Sequence, residues 1–222
     1  IYENEDIKKN DRLHWKQPLQ NWNGMCADCH SSNLKRNYST KQNRFKTTYD
    51  EINVGCKSCH MISSNHDQVK VIKKLPVISD GTLKDIGMWL RKKDQKTASW
   101  QGPARNNDFM GSCFACHSLR APLTDGFRSD IAFLDQFNPT LLSQPLYYAD
   151  GQIKEEVYVY GSFLQSKMYA AGVNCLDCHD AHSAKVKTQT NSLCLQCHSP
   201  QEYQTSSHTG HELTSVGSKC IH

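Results

Sequence analysis

Apolar residues along this chain come in short bursts between polar stretches, so the elements they predict are short. Helical spacing runs through GSFLQSKMYAAG (161–172), with Ser162 as N-cap and Gly172 as the stop. Ahead of it, LYYADGQIKEEVYVY (146–160) reads as a β-hairpin with Asp150–Gly151 at the turn. Residues 118–145 read as helical in part, broken by Pro122, Pro139 and Pro145. TLKDIGMWLRKKDQK (82–96) mixes apolar and basic residues and fits a strand or a short helix. Its run Arg91-Lys92-Lys93 reads as a solvated face, and the polar stretch 31–50 as loop.

A second pattern cuts across these elements. C-x-x-C-H occurs five times, at Cys26–Cys29–His30, Cys56–Cys59–His60, Cys113–Cys116–His117, Cys175–Cys178–His179 and Cys194–Cys197–His198. The motifs use ten of the eleven cysteines and recur at no fixed interval, which excludes a solenoid. C-x-x-C-H is the attachment signature of c-type haem. The two thiols add to the haem vinyl groups, and the adjacent histidine sits under the iron as proximal ligand. A structural zinc site needs four ligands and gives no reason for a histidine after every second cysteine. A redox disulfide of the thioredoxin type needs a βαβ pattern around one C-x-x-C, and none is visible.

Composition agrees with that reading. Hydrophobic residues make up 37% of the 222, and mean hydropathy is −0.67. Length allows one or two domains, but a chain this polar is short of side chains for a full core. Haem resolves the conflict, because a porphyrin is a large apolar disc. The expected core is five covalently bound haems with a thin peptide coat. The formal charge of +4 changes meaning as well. Two propionates against one ferric core charge leave each haem net negative, so five haems cancel the excess. The lysines and arginines then read as solvated faces and propionate partners, not as a nucleic-acid surface.

No apolar stretch is long enough to span a membrane. Haem is attached to C-x-x-C-H outside the cytoplasm, so the expected location is periplasmic or extracellular. The chain opens at Ile1 and closes on Ser218–Lys219–Cys220–Ile221–His222. A following Cys-His would complete a sixth C-x-x-C-H on Cys220 and add a sixth haem. The alternative, a lone free cysteine, is awkward in an exported protein. Residues 1–222 are therefore read as a single module and an internal fragment of a longer chain.

A six-coordinate haem needs a second axial ligand. Apart from the five proximal histidines and His222, five histidines remain: His14, His66, His182, His208 and His211. The numbers match bis-histidine ligation of five haems. His182 follows its own proximal ligand too closely to reach over the same haem and is better placed to cap a neighbour. Methionine is the usual alternative ligand, but Met25, Met61, Met88, Met110 and Met168 read as packing. Fourteen residues separate His179 from Cys194, which forces the fourth and fifth haems close together.

Several stretches go beyond the haem motif itself: "QNWNGMCADCHSSNLKRNY", "TYDEINVGCKSCH", "YYADGQIKEEVYVYGSFLQSKMYAAGVNCLDCHDAHS" and "LCLQCHSP". On these the chain resembles, over nearly its whole length, a family of bacterial multihaem c-type cytochromes. That family is related to the cytochrome c554, hydroxylamine oxidoreductase and pentahaem nitrite reductase group. Many members continue into tetratricopeptide repeats. The resemblance implies further haems or domains at both ends. It also implies that His14, His66, His182 and one of the pair His208/His211 are distal ligands. At 61–65 the chain has MISSN where the family usually has Gly-Pro-Gly-Ser before the histidine. The fold class expected is mainly α with much irregular structure and a small β-hairpin, a multihaem cytochrome c packed around covalent haems.

Two functions are compatible with this. The first is electron transfer through closely spaced bis-histidine haems. It would link low-potential donors, other cytochromes or quinol-linked proteins, to periplasmic or extracellular acceptors. The second is a reductase or oxidase of small nitrogen or sulfur compounds at one open haem. Related nitrite reductases use C-x-x-C-K at the open haem, and no such motif occurs here. Tyr158, Tyr160 and Tyr169 precede the fourth motif, as a catalytic tyrosine would, but read more simply as packing. Self-association into filaments through shared histidines is a third, minor possibility.

Overall fold

The computed structural model describes residues 6–17, 20–60 and 87–220. His66, Met61 and the first part of the 82–96 stretch lie outside the described residues. Helices in the described chain are three to five residues long, and strands are two or three. Most of the backbone is turn and irregular structure, as the short apolar bursts predict. No helix among the described residues is long and apolar enough to cross a membrane.

Contacts divide the chain into two compact units, each built from two separate segments. The first joins Ile1–Val71 to Asp108–Ser162, and the second joins Ile72–Asn107 to Phe163–His222. The first unit carries motifs one to three, and the second carries motifs four and five with Cys220.

In the first unit the polar stretch expected to be loop folds into an interrupted antiparallel ribbon. Ser31–Ser32 pairs with Glu51–Ile52, Lys35 bridges Thr48, and Tyr38–Ser39 pairs with Arg44–Phe45. Backbone pairing needs no buried side chains, so hydrophobic patterning gives no sign of it. The signal lies in asparagine, which tolerates left-handed backbone: Asn33, Asn37 and Asn43 have φ of 52°, 48° and 46°. Beside the ribbon is a small aromatic core. Phe114 meets Tyr160 edge-on at 4.8 Å, and Phe133 stacks toward Tyr160 at 5.2 Å and Phe137 at 5.4 Å. Gln136 is buried beneath it and closes the 128–136 loop. Its amide donates to the Arg128 and Ile131 carbonyls, both at 2.8 Å, and its oxygen accepts the Arg128 amide at 2.7 Å. The hairpin expected at 146–160 is reduced to a turn and one bridge, Tyr147 to Ile153, with Gly151 bonded back to Tyr148.

In the second unit Met88–Leu90 pairs with Ser99–Gln101, which sets Trp89 opposite Trp100. The strand reading of 82–96 therefore holds for its described part. The single helix expected over 161–172 is two short ones, Tyr160–Leu164 and Lys167–Ala170. The capping serine is Ser166, whose hydroxyl accepts the Tyr169 amide, not Ser162. Gly172 ends the second helix as expected, with φ of +91°.

Candidate haem-attachment sites

Each motif sits on one tight helical turn. The His60, His117, His179 and His198 amides donate back to the carbonyls of Cys56, Cys113, Cys175 and Cys194 at 2.8, 2.9, 2.9 and 2.9 Å. The first motif lies at the end of a helical run from Trp22 to His30. Positions i, i+3 and i+4 of a turn share one face, so two cysteines and a histidine point the same way. In the fourth motif the turn starts on a full capping box. The Asn174 side chain accepts the Leu176 amide at 3.0 Å, and Asp177 accepts the Asn174 amide at 2.8 Å.

In the first unit, motifs one and three meet. Cys29 lies against Cys116, with its thiol 3.9 Å from the Cys116 carbonyl oxygen. The contact with Cys116 draws the Cys29 thiol down to about 7. The same contact, with burial, pushes Cys116 up. Asp28, between the cysteines of motif one, is almost fully buried between two arginines. Arg36 approaches it at 2.8 Å, and Arg120 pairs with its other oxygen. These are ion pairs at contact distance in which Arg36 Nη2 and Asp28 Oδ2 lack hydrogen-bond alignment. Arg120 also donates through Nε to the Ala115 carbonyl of motif three at 2.9 Å and stacks over Phe137 at 4.0 Å. It thus ties the two haem-binding turns to each other.

In the second unit, motifs four and five meet, as the short link between them requires. Cys178 is close enough to Cys194 and Cys197 to help raise both thiols, although burial is the larger cause. Cys220 is close enough to Cys194 to help raise its thiol as well. It is held there by Asn191, which accepts the Cys220 amide at 2.9 Å and donates to the Ser218 carbonyl at 3.1 Å. Asp177 occupies in motif four the place of Asp28 in motif one. Burial pushes its carboxyl up, but bonds from Arg105, the Asn174 amide and Trp89 outweigh this and hold it below the usual range. Sequence reading missed both aspartates and their arginines. The available signal was the repeated acid before the second cysteine, in C-A-D-C-H and C-L-D-C-H.

The spare histidines are distributed unevenly. His14 lies in the first unit, stacked on Trp15 at 5.7 Å, with Nδ1 accepting the Lys16 amide at 3.2 Å. Iron binding through Nε2 would require that contact to give way, since the proton would then sit on Nδ1. His182, His208 and His211 lie in the second unit. His182 is on an exposed loop that folds back on its own motif through the His179–Val186 bridge. His208 packs edge-on against Tyr203 at 5.0 Å, and Tyr203 packs the same way on proximal His198 at 4.7 Å. Burial, then His208, lowers the His198 imidazole. The His211 ring lies against Gly217, where a Cβ would come within 2.7 Å of it. Among the methionines, Met110 packs in the core, and Met25, Met88 and Met168 are exposed.

These residues fit a haem. The five turns supply paired thiols and a histidine on one face. His198 Nδ1 is buried without a partner. Apolar side chains stand exposed beside the turns: Trp22 and Met25 at motif one, Ile52 and Val54 at motif two, Phe109 at motif three and Leu176 within motif four. An apolar disc would cover them.

Comparison with known families agrees. The family of cytochrome c554 and c-prime matches residues 2–61, and the doubled CXXCH motif matches residues 167–203. No curated protein and no solved structure matches the chain. The first match spans motifs one and two, and the second spans motifs four and five. With helical turns formed at all five motifs, these two partial matches support a multihaem c-type cytochrome family, whose members bind haem c through C-x-x-C-H and transfer electrons.

Proposed function

We propose that this chain is an electron relay holding five haems c, one per motif, with a sixth on Cys220 if the chain continues past His222. The haems supply one-electron redox chemistry. The cysteines anchor them, and His30, His60, His117, His179 and His198 ligate the iron from one side. His14, His66, His182, His208 and His211 are the residues for the other side, which leaves no position open to substrate. The partners are other redox proteins, cytochromes or quinol-linked donors, in the periplasm or outside the cell.

The observation that carries this reading is the contact between motifs within each unit. Cys29 touches Cys116, and Cys178 neighbours Cys194 and Cys197. Attachment points in contact bring redox centres within tunnelling range. The test is a denaturing mass spectrum of the intact exported protein with a one-electron redox titration. Five covalent haems that all exchange electrons with a small mediator support the relay. Fewer haems than motifs, or a haem the mediator cannot reach, would sink it.

A further inference from the structure

The charge pair inside the fourth motif has a role that haem attachment alone does not require. Asp177 stands between the two cysteines, directly before Cys178. Arg105 grips its carboxylate with both terminal nitrogens, at 2.7 and 3.0 Å. Trp89 Nε1 donates to the same carboxylate at 2.9 Å. The guanidinium lies by the rings of Trp89 and Trp100, at 5.5 and 4.4 Å from their centroids. Arg105 also donates to the Gly172 carbonyl at 3.0 Å, where the chain turns into the motif. Both charged side chains are only about 15% exposed.

A buried ion pair adds little net stability over an apolar pair of the same shape, because desolvation offsets the attraction. Its lasting physical effects are two: it fixes position, and it holds two opposite charges where water screens them poorly. The first unit repeats the device, with Asp28 at the same motif position between Arg36 and Arg120. Motifs two, three and five carry Lys57-Ser58, Phe114-Ala115 and Leu195-Gln196 there, with no acid.

We propose that Arg105 is a positioning residue for the fourth haem-binding turn, and that its ion pair with Asp177 sets the redox potential of the haem on that turn. The proposal rests on the haem reading above. Removing either charge leaves the other uncompensated beside Cys178. An unpaired Arg105 favours the less positive, ferrous iron, and an unpaired Asp177 favours the ferric iron.

The experiment is a spectropotentiometric titration of the full-length holoprotein and its variants, with peptide mass mapping of haem at Cys175 and Cys178. In Asp177→Asn, one haem becomes about tenfold easier to reduce, ~59 mV for one electron. In Arg105→Met the same haem shifts by a similar factor in the opposite direction. Arg105→Lys stays near the parent, and the double variant returns toward it. A merely structural role would move both single variants the same way, and that result overturns the proposal. So does a full complement of haems with no potential changed. If Arg105→Met does not accumulate, Asp177→Asn decides alone, because asparagine keeps the shape and its one oxygen can still accept from Trp89 and one Arg105 nitrogen: an upward shift supports the proposal, and no shift or a downward one overturns it. A parent protein without covalent haem at Cys175 and Cys178 would instead overturn the haem reading beneath it.

Discussion

The thiol of Cys29 lies 3.9 Å from the carbonyl oxygen of Cys116, although 87 residues separate them along the chain. Motif one is thereby neighbour to motif three, with motif two between them in sequence. Order along the chain is therefore not the order in which attachment points meet. Redox centres held at adjoining points titrate as a coupled set, not independently. His117→Gly, which opens the third site, is expected to shift a second titration step along with its own. A redox titration in which only one step moves would show that the two sites are uncoupled.

Arg120 joins the same two motifs, and its removal should be costly. Arg120→Met leaves Asp28 buried with Arg36 as its remaining cation and frees the Ala115 carbonyl. Breaking a buried pair from one side costs about 3–5 kcal/mol. Arg36 keeps the expected loss near the lower end. Urea denaturation of the holoprotein measures it, and Arg120→Lys should recover part of the loss.

Gln136 makes a second test, independent of charge. Its amide satisfies two part-buried carbonyls and one backbone amide of the 128–136 loop. Gln136→Leu keeps the volume and leaves those groups without partners. These groups are only partly buried, so water replaces some of the lost bonds and the expected loss is roughly 1–3 kcal/mol. The readout is the denaturation midpoint, with haem content unchanged.

Two glycines should respond in opposite directions. At Gly161 a Cβ would meet the Tyr147 hydroxyl at 2.5 Å and Leu142 Cδ2 at 2.7 Å, so Gly161→Ala should cost about 1–3 kcal/mol. At Gly24, within the helical run before Cys26, the nearest atom is 4.0 Å away. Gly24→Ala should stabilise by about 0.4–1 kcal/mol, chiefly by restricting the unfolded chain. Thermal melts of the two variants beside the parent give both signs.

What could be read from the sequence follows from the range of each interaction. The haem-binding turns were legible because the motif is local: four residues fix both thiols and the histidine on one face. The stop at Gly172 was legible for the same reason. The split of the 161–172 helix was not, because Ser162 and Ser166 are equally good caps on paper and packing selects Ser166. The 31–52 ribbon was hidden because its pairing is between backbones carrying polar side chains. The arginine clamps on Asp28 and Asp177 were hidden because Arg120 and Arg105 come from distant segments. No local pattern announces such a partner, and only the repeated aspartate hinted that one was needed.

In the proposed relay every haem is capped and electrons pass without a substrate site. Low-temperature electron paramagnetic resonance of the oxidised, full-length protein is the decisive test. The relay predicts low-spin ferric signals only, unchanged when nitrite or hydroxylamine is added. A high-spin signal that either compound perturbs would reveal an open haem and contradict the relay.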